Sequence, residues 1–147
     1  MSFFLPLLLV MAASVAAEPE DPLASFRWTV GDYALVGREP ERGALYAGRA
    51  TIEVSMGRFK MLRWLENGTT ATLEGRVEMA SPPGDVQVLR FRGPETRPRT
   101  YTCMAGSDLD NYARLTCIWT YDDKTSPREP GLEALFPTAV WPEARQE

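Results

Sequence analysis

Apolar and polar residues alternate with a period of two along most of this chain. Tyr46, Gly48, Ala50, Ile52, Val54 and Met56 share one face of a segment whose other face carries Arg49, Thr51, Glu53 and Ser55. That rhythm defines a half-buried β-strand. It returns more cleanly from Thr70 to Met79, where Ala71, Leu73, Gly75, Val77 and Met79 alternate with Thr70, Thr72, Glu74, Arg76 and Glu78. Between the two lies Phe59 to Glu66, rich in large apolar residues but interrupted by Arg63. It ends at Asn67-Gly68, a two-residue hairpin signal because both residue types tolerate positive φ. Met56-Gly57-Arg58 forms a tight connection of the same kind.

Pro82-Pro83-Gly84-Asp85 marks a turn before a fifth segment, Val86 to Arg92, whose mixed alternation predicts a bulge or a sheet edge. A loop from Gly93 to Pro98 follows. Arg99 to Ala105 and Tyr112 to Tyr121 then predict a hairpin around Gly106 to Asn111. If Cys103 faces Cys117 in that hairpin, Tyr101 must face Trp119. Leu115 and Tyr121 then join the same side, while Thr100, Thr102, Thr116 and Thr120 occupy the other. A sulfur-rich aromatic face against a threonine face is the contrast expected of a core side and a solvent side. A diagonal or adjacent-strand bridge is the alternative pairing. Phe26 to Leu35 reads as the first strand or two, anchored by Trp28 and Tyr33. Gly131 to Phe136 reads as either a closing strand or a helical turn.

About seven or eight short strands joined by short loops predict an all-β domain, either an up-and-down antiparallel barrel or a β-sandwich. The barrel is the simpler outcome, because consecutive hairpins build a meander and closure removes exposed edges. A barrel of about eight strands is just wide enough to be filled by side chains or to hold one small ligand.

The N-terminal residues change the expected compartment. Residues 1–17, MSFFLPLLLVMAASVAA, read as an export signal: an apolar run from Phe3 to Ala13, then small residues with Val15 and Ala17 at the cleavage-determining positions. The run is about half the length needed to span a bilayer. The barrel is expected over residues 18–137, with a tail over 138–147 onto which Val140 and Trp141 bring apolar surface. An exported destination, periplasmic or extracellular, also explains the two cysteines. Cys103 and Cys117 are the only pair available, and in an oxidising compartment such a pair is expected to close a disulfide, two free buried thiols being the alternative. A loop of about 15 residues makes that bridge worth about 3 kcal/mol in the chain-entropy account.

Charge and composition exclude several classes of function. The formal net charge of −4 argues against nucleic acid and against docking on anionic lipid. No second apolar stretch approaches membrane-spanning length, so insertion of the mature chain is not expected. The chain contains no histidine, which removes Ser-His-Asp and Cys-His nucleophile systems and the HExxH metalloproteases. No metal site and no cofactor are expected. Asp108 and Asp110, and Asp122 with Asp123, read as solvated turn carboxylates; Ser107 to Asn111 lacks the glycine and distal glutamate of a calcium loop.

Arg90, Arg92, Arg97, Arg99 and Arg114 form a basic stretch, read as a solvated strand face; anion binding is the sharper alternative. Arg63 is read as pointing outward. Were it to point inward, it would have to be paired or meet a ligand. Trp28, Trp64 and Trp119 lie on separate predicted segments, as core anchors or as aromatics lining a cup. With Tyr46 and Arg63 they are the candidate ligand-binding residues. Asn67-Gly68-Thr69 fits a glycosylation sequon, although hairpin chemistry suffices to explain it.

One spaced pattern carries a resemblance. Gly31-Asp32-Tyr33, Gly43 to Ile52, Leu62-Arg63-Trp64, Glu74 to Val77, Leu115 to Trp119 and Gly131 to Leu135 together resemble a loose group of exported bacterial proteins of unknown function. Those proteins look like calycin-type barrels, the broad class of lipocalins and avidins. The resemblance covers most of the mature chain and implies a binding barrel rather than any shared chemistry. Leu115 stands where that pattern has glycine. The expectation is therefore a non-enzymatic exported barrel holding a small apolar or amphipathic molecule or a protein surface. The alternative is an inhibitor or envelope-interaction module acting through the loops Gly93 to Arg99 and Gly106 to Asn111. A carboxylate-based hydrolase is the contrasting class.

Overall fold

Eight strands follow one another around a closed ring in a computed structural model that describes residues 21, 23–80, 86–93, 96–106, 115–123 and 128–138. They are β1 (Gly31–Arg38), β2 (Leu45–Ser55), β3 (Arg58–Leu65), β4 (Thr70–Ala80), β5 (Val86–Gly93), β6 (Arg99–Ala105), β7 (Leu115–Tyr121) and β8 (Gly131–Pro137). Every neighbouring pair is antiparallel, and β8 returns to pair with β1, so the sheet is an up-and-down barrel without a free edge. The expected leader, residues 1–17, and the tail from 139 onward lie outside the described residues.

The period of two sets what faces inward. Ile52, Phe59, Met61, Leu73, Leu89, Phe91, Tyr101, Leu115 and Leu135 are fully buried, one or two from each of seven strands, and belong to a single apolar cluster with Tyr33 and Leu35 of β1. The charged residues Glu53, Lys60, Glu74, Arg76, Glu78, Arg90 and Arg92 occupy the alternate, outward positions of β2 to β5. Arg90 and Arg92 both donate to Glu78, at 3.0 and 2.7 Å, which is the solvated basic face expected of them.

The β6–β7 hairpin has the expected register. Cys103 opposes Cys117 and Tyr101 opposes Trp119. The cysteines form a disulfide between directly opposed strands, their Cα atoms 4.0 Å apart, so the diagonal alternative is not adopted. Gly131 to Pro137 is the closing strand, not a helical turn.

Four local expectations are corrected. Residues Ala24–Thr29 form a 3-10 helix rather than strand, and it carries Trp28 at the surface with its indole Nε1 donating to Ser25 O at 2.9 Å. The helix instead buries Phe26, which joins the core with Leu23 where β1 begins, while Tyr33 donates its hydroxyl to Thr29 O. The β5 segment contains no bulge: its register against both β4 and β6 is continuous. Its mixed pattern arises because Val88, on the outward face, lies in an apolar groove and is as buried as the core. Asn67-Gly68 does not form a two-residue turn. The connection is four residues long, Glu66 to Thr69, with only Gly68 at positive φ, and Asn67 Oδ1 accepts from Thr69 N. Arg63 points inward, because it shares the face of β3 that carries Phe59 and Met61.

The two ends of the barrel differ. The 3-10 helix packs at the end where β1 starts and β8 finishes, here called the lower end. The upper end carries the β1–β2, β3–β4, β5–β6 and β7–β8 connections. The interior of the lower half is apolar, and the polar side chains facing inward are concentrated toward the upper end.

Candidate functional site

Four strands deliver the polar interior. Tyr46 enters from β2, Arg63 from β3, Tyr101 from β6 and Glu133 from β8. Arg63 and Glu133 are each about 3% exposed, which is rare for charges unless they are paired. They are paired: Arg63 Nη2 donates to Glu133 Oε2. The second guanidinium nitrogen, Nη1, donates to the Tyr101 hydroxyl at 2.6 Å, and Tyr46 donates to the same Glu133 oxygen at 2.8 Å. The guanidinium also lies over both rings, 4.9 Å from the Tyr101 centroid and 5.9 Å from that of Tyr46. One arginine thus ties β2, β6 and β8 across the barrel interior.

Two inward glycines make room for this arrangement. Gly37 of β1 is in register with Tyr46 on one side and Glu133 on the other. A β-carbon there would collide with Tyr46 Cζ, so the phenol passes over Gly37 to reach the carboxylate. Gly131, opposite Trp119, is the second case: a β-carbon there would collide with the indole ring of Trp119.

Above this pair the aromatic and cationic groups continue toward the opening. Tyr101 and Trp119 stack at 5.5 Å, and Trp119 meets Tyr121 edge to face at 5.2 Å. Arg99 lies 5.3 Å from the centroids of both Trp119 and Tyr121, and exposed Arg97 lies 3.8 Å over Tyr121. The series Arg97, Tyr121, Arg99, Trp119, Tyr101, Arg63 runs from solvent into the barrel interior, with half-buried Tyr46 closing it from β2.

Burial governs the protonation of these groups. It pushes the Glu133 carboxyl above its ordinary range, against the opposing pull of Arg63 and the Tyr46 hydrogen bond. It raises the phenols of Tyr46 and Tyr101 as well, so both remain donors. For Arg63 burial works toward a lower value, but Glu133 and the two tyrosines outweigh it and hold the guanidinium charged.

Four polar atoms in this region are sealed from solvent with no hydrogen-bond partner among the described residues. They are Arg63 Nε, Arg99 Nε, Trp119 Nε1 and Glu133 Oε1. Three are donors and one is an acceptor. Among the described residues no group of three or more cysteine, aspartate or glutamate side chains is arranged to hold a metal.

The structure therefore brings together three of the five candidate residues, Tyr46, Arg63 and Trp119, and separates the other two. Trp64 faces outward on β3 and Trp28 lies on the surface helix. Sequence reasoning does not single out Glu133 or Tyr101 as site residues. The Gly-x-Glu spacing of β8 holds the signal for Glu133: an acidic residue at the inward position of an otherwise apolar strand. Among the turn carboxylates, Asp122 accepts from Thr100 Oγ1 at 2.8 Å and Asp123 is exposed, while Asp108 and Asp110 lie outside the described residues.

The outer surface has a separate feature. Val86, Met104, Ile118 and Leu132 are each about half exposed and border a groove of about 600 Å³ running across β5 to β8.

No family model matches this chain, and no curated protein does. A solved structure of a de novo designed, fluorescence-activating beta barrel is similar to it. The identity is 13%, the alignment covers 79% of this chain and 96% of that chain, and the TM-score is 0.47. A likeness at that level carries no argument beyond the barrel already described.

Proposed function

We propose that this protein is an exported, non-enzymatic binding barrel of the calycin type that takes a small amphipathic molecule at its upper end. One observation carries the reading. Polar groups without partners are rare in protein interiors, because each costs about 1–3 kcal/mol. Here four cluster at one end of an otherwise apolar barrel. A bound molecule with a polar head meets the outer two, Arg99 Nε and Trp119 Nε1, and its apolar body meets Trp119, Tyr121 and Tyr101.

The Cys103–Cys117 bridge supports an oxidising compartment, in keeping with the export-like N-terminus. The lone inward carboxylate among the described residues is engaged by Arg63 and Tyr46, which leaves no second carboxylate for paired acid–base work. Charged residues on the outward faces of β2 to β5 argue against a lipid-facing surface.

Native mass spectrometry of the protein purified from its own source tests this. The expected result is a population heavier than the polypeptide by a small-molecule mass. A bare polypeptide mass from material never exposed to denaturant overturns it. A second reading, contact with a protein surface, is favoured by the apolar groove across β5 to β8. Loss of partner capture with the double substitution Ile118→Thr, Leu132→Thr, and not with upper-end substitutions, would support it.

A further inference from the structure

The charge balance of the upper interior specifies the ligand more closely; this rests on the binding-barrel reading above. Arg63 and Glu133 neutralise one another. Arg99 occupies the next inward position toward the opening, on β6, and among the described residues no carboxylate lies within ion-pair distance of it. Its guanidinium is held against the aromatic faces of Trp119 and Tyr121 and hydrogen-bonds the Tyr101 side chain, and it acts on the Glu133 carboxylate only at longer range. The Trp119 indole, over which Arg99 lies, is almost completely buried, and its N–H, close over Gly131, has no acceptor among the described residues. Arg97, at the rim over Tyr121, adds a second positive charge on the path inward. The unmet groups at this level are donors, and the unmatched charge is positive.

We propose that the upper end of the barrel binds an organic anion of the carboxylate or sulfonate class. Its oxyacid group seats against Arg99 and Trp119 Nε1, and its apolar body lies along Trp119 and Tyr121. Arginine suits this role because it presents N–H donors in a plane while its faces stack on aromatic rings. A neutral apolar molecule would leave Arg99 Nε and the indole N–H unmet. A cation would meet the positive excess of Arg97 and Arg99.

Two dyes with one ring system test the proposal: 8-anilinonaphthalene-1-sulfonate, and N-phenyl-1-naphthylamine, which lacks the sulfonate. Titration of the full-length mature protein, followed by dye fluorescence, should show the sulfonate binding at least about tenfold more tightly, the worth of one charge-assisted hydrogen bond. Arg99→Gln should remove that preference while changing affinity for the neutral dye less than about twofold. Arg97→Gln, an exposed position that does not threaten folding, should weaken sulfonate binding by a smaller factor. Equal binding of both dyes, unchanged by either substitution, overturns the anion proposal and leaves the binding barrel standing. So does sulfonate binding that Ile118→Thr abolishes and Arg99→Gln does not, because the dye then sits on the outer groove. If neither dye binds, the anion proposal fails, and the native mass measurement decides separately whether the barrel carries a molecule at all.

Discussion

Tyr46 reaches Glu133 only because the residue between them is Gly37. The two side chains belong to strands on opposite sides of β1, and the phenol fills the space that a β-carbon on Gly37 would occupy. The hydroxyl then donates to Glu133 Oε2 at 2.8 Å. Gly37→Ala should therefore act through Tyr46. Overpacking of this kind costs about 1–3 kcal/mol. Chemical denaturation should show that loss in the parent protein and little of it in a Tyr46→Ala background, a cycle that reads the coupling directly.

The Arg63–Glu133 pair predicts an asymmetry between single and double replacements. Arg63→Met or Glu133→Leu alone strands a buried charge and should cost about 3–5 kcal/mol. The double replacement removes both charges from the apolar interior and should cost much less than the sum of the two. Equilibrium unfolding of the four proteins measures this. Additive losses would show that the pair does not act as a unit.

The same carboxylate sets a pH dependence with a definite sign. Burial raises the Glu133 pKa in the folded protein above its ordinary value of 4.5. Between the ordinary value and the raised one, the folded state holds a proton that the unfolded state has released. The contribution of Glu133 to stability is therefore greatest on the acid side and falls as pH rises through that window. Glu78, held below its ordinary range by its hydrogen bond to Arg92, contributes in the opposite sense: its stabilisation is lost as pH falls. Subtracting the pH–stability curve of Glu133→Gln from that of the parent should isolate a difference that declines with rising pH. A difference that grows with pH would refute the assignment.

The disulfide joins directly opposed residues of β6 and β7, with a sequence separation of 14. Its contribution of about 3 kcal/mol in the chain-entropy account should lower the melting temperature by on the order of 10 °C on reduction. Thermal unfolding followed by circular dichroism, with and without a phosphine reductant, measures this. An unchanged midpoint would mean that the bridge adds nothing to a hairpin already held by the barrel.

The β2–β3 turn offers a stabilising substitution. Met56 and Gly57 both have positive φ, at 50° and 71°, and the Met56 side chain is fully exposed. A left-handed conformation at a residue with a β-carbon costs about 1–2 kcal/mol, and asparagine tolerates it better. Met56→Asn should raise stability by up to about 1 kcal/mol, read as a higher denaturation midpoint at constant slope.

The barrel is legible because its signal is repeated. Each of β2, β4, β6 and β7 shows alternation that a one-residue slip would invert, and the Cys103–Cys117 and Tyr101–Trp119 pairings follow from a single register. The outward reading of Arg63 fails for a specific reason. Its neighbours Leu62 and Trp64 are also large and apolar, so the polar face that Arg58 and Lys60 begin breaks off just where Arg63 has to be judged. Strict alternation from Phe59 and Met61 places it inside, but an arginine there makes sense only with its partner. That partner, Glu133, lies 70 residues away in sequence, brought close by a strand that pairs with the first one rather than with β3. Pairing across a barrel interior leaves no local trace. Trp28 fails differently: a short run with few turn residues fits a strand or a 3-10 turn equally well, and burial of Phe26 decides in favour of the turn.

Closure of the ring has a consequence for how this chain can be made. The β1–β8 seam joins Leu35 to Leu135, residues about a hundred positions apart, and nothing nearer in the chain can substitute for it. Until the last strand emerges, β1 has paired with β2 alone and its other side is an open template for a foreign strand. Final zippering must therefore wait until β8 itself is free to pair, and a truncation that removes β8 should yield sticky, self-associating material rather than a smaller stable barrel.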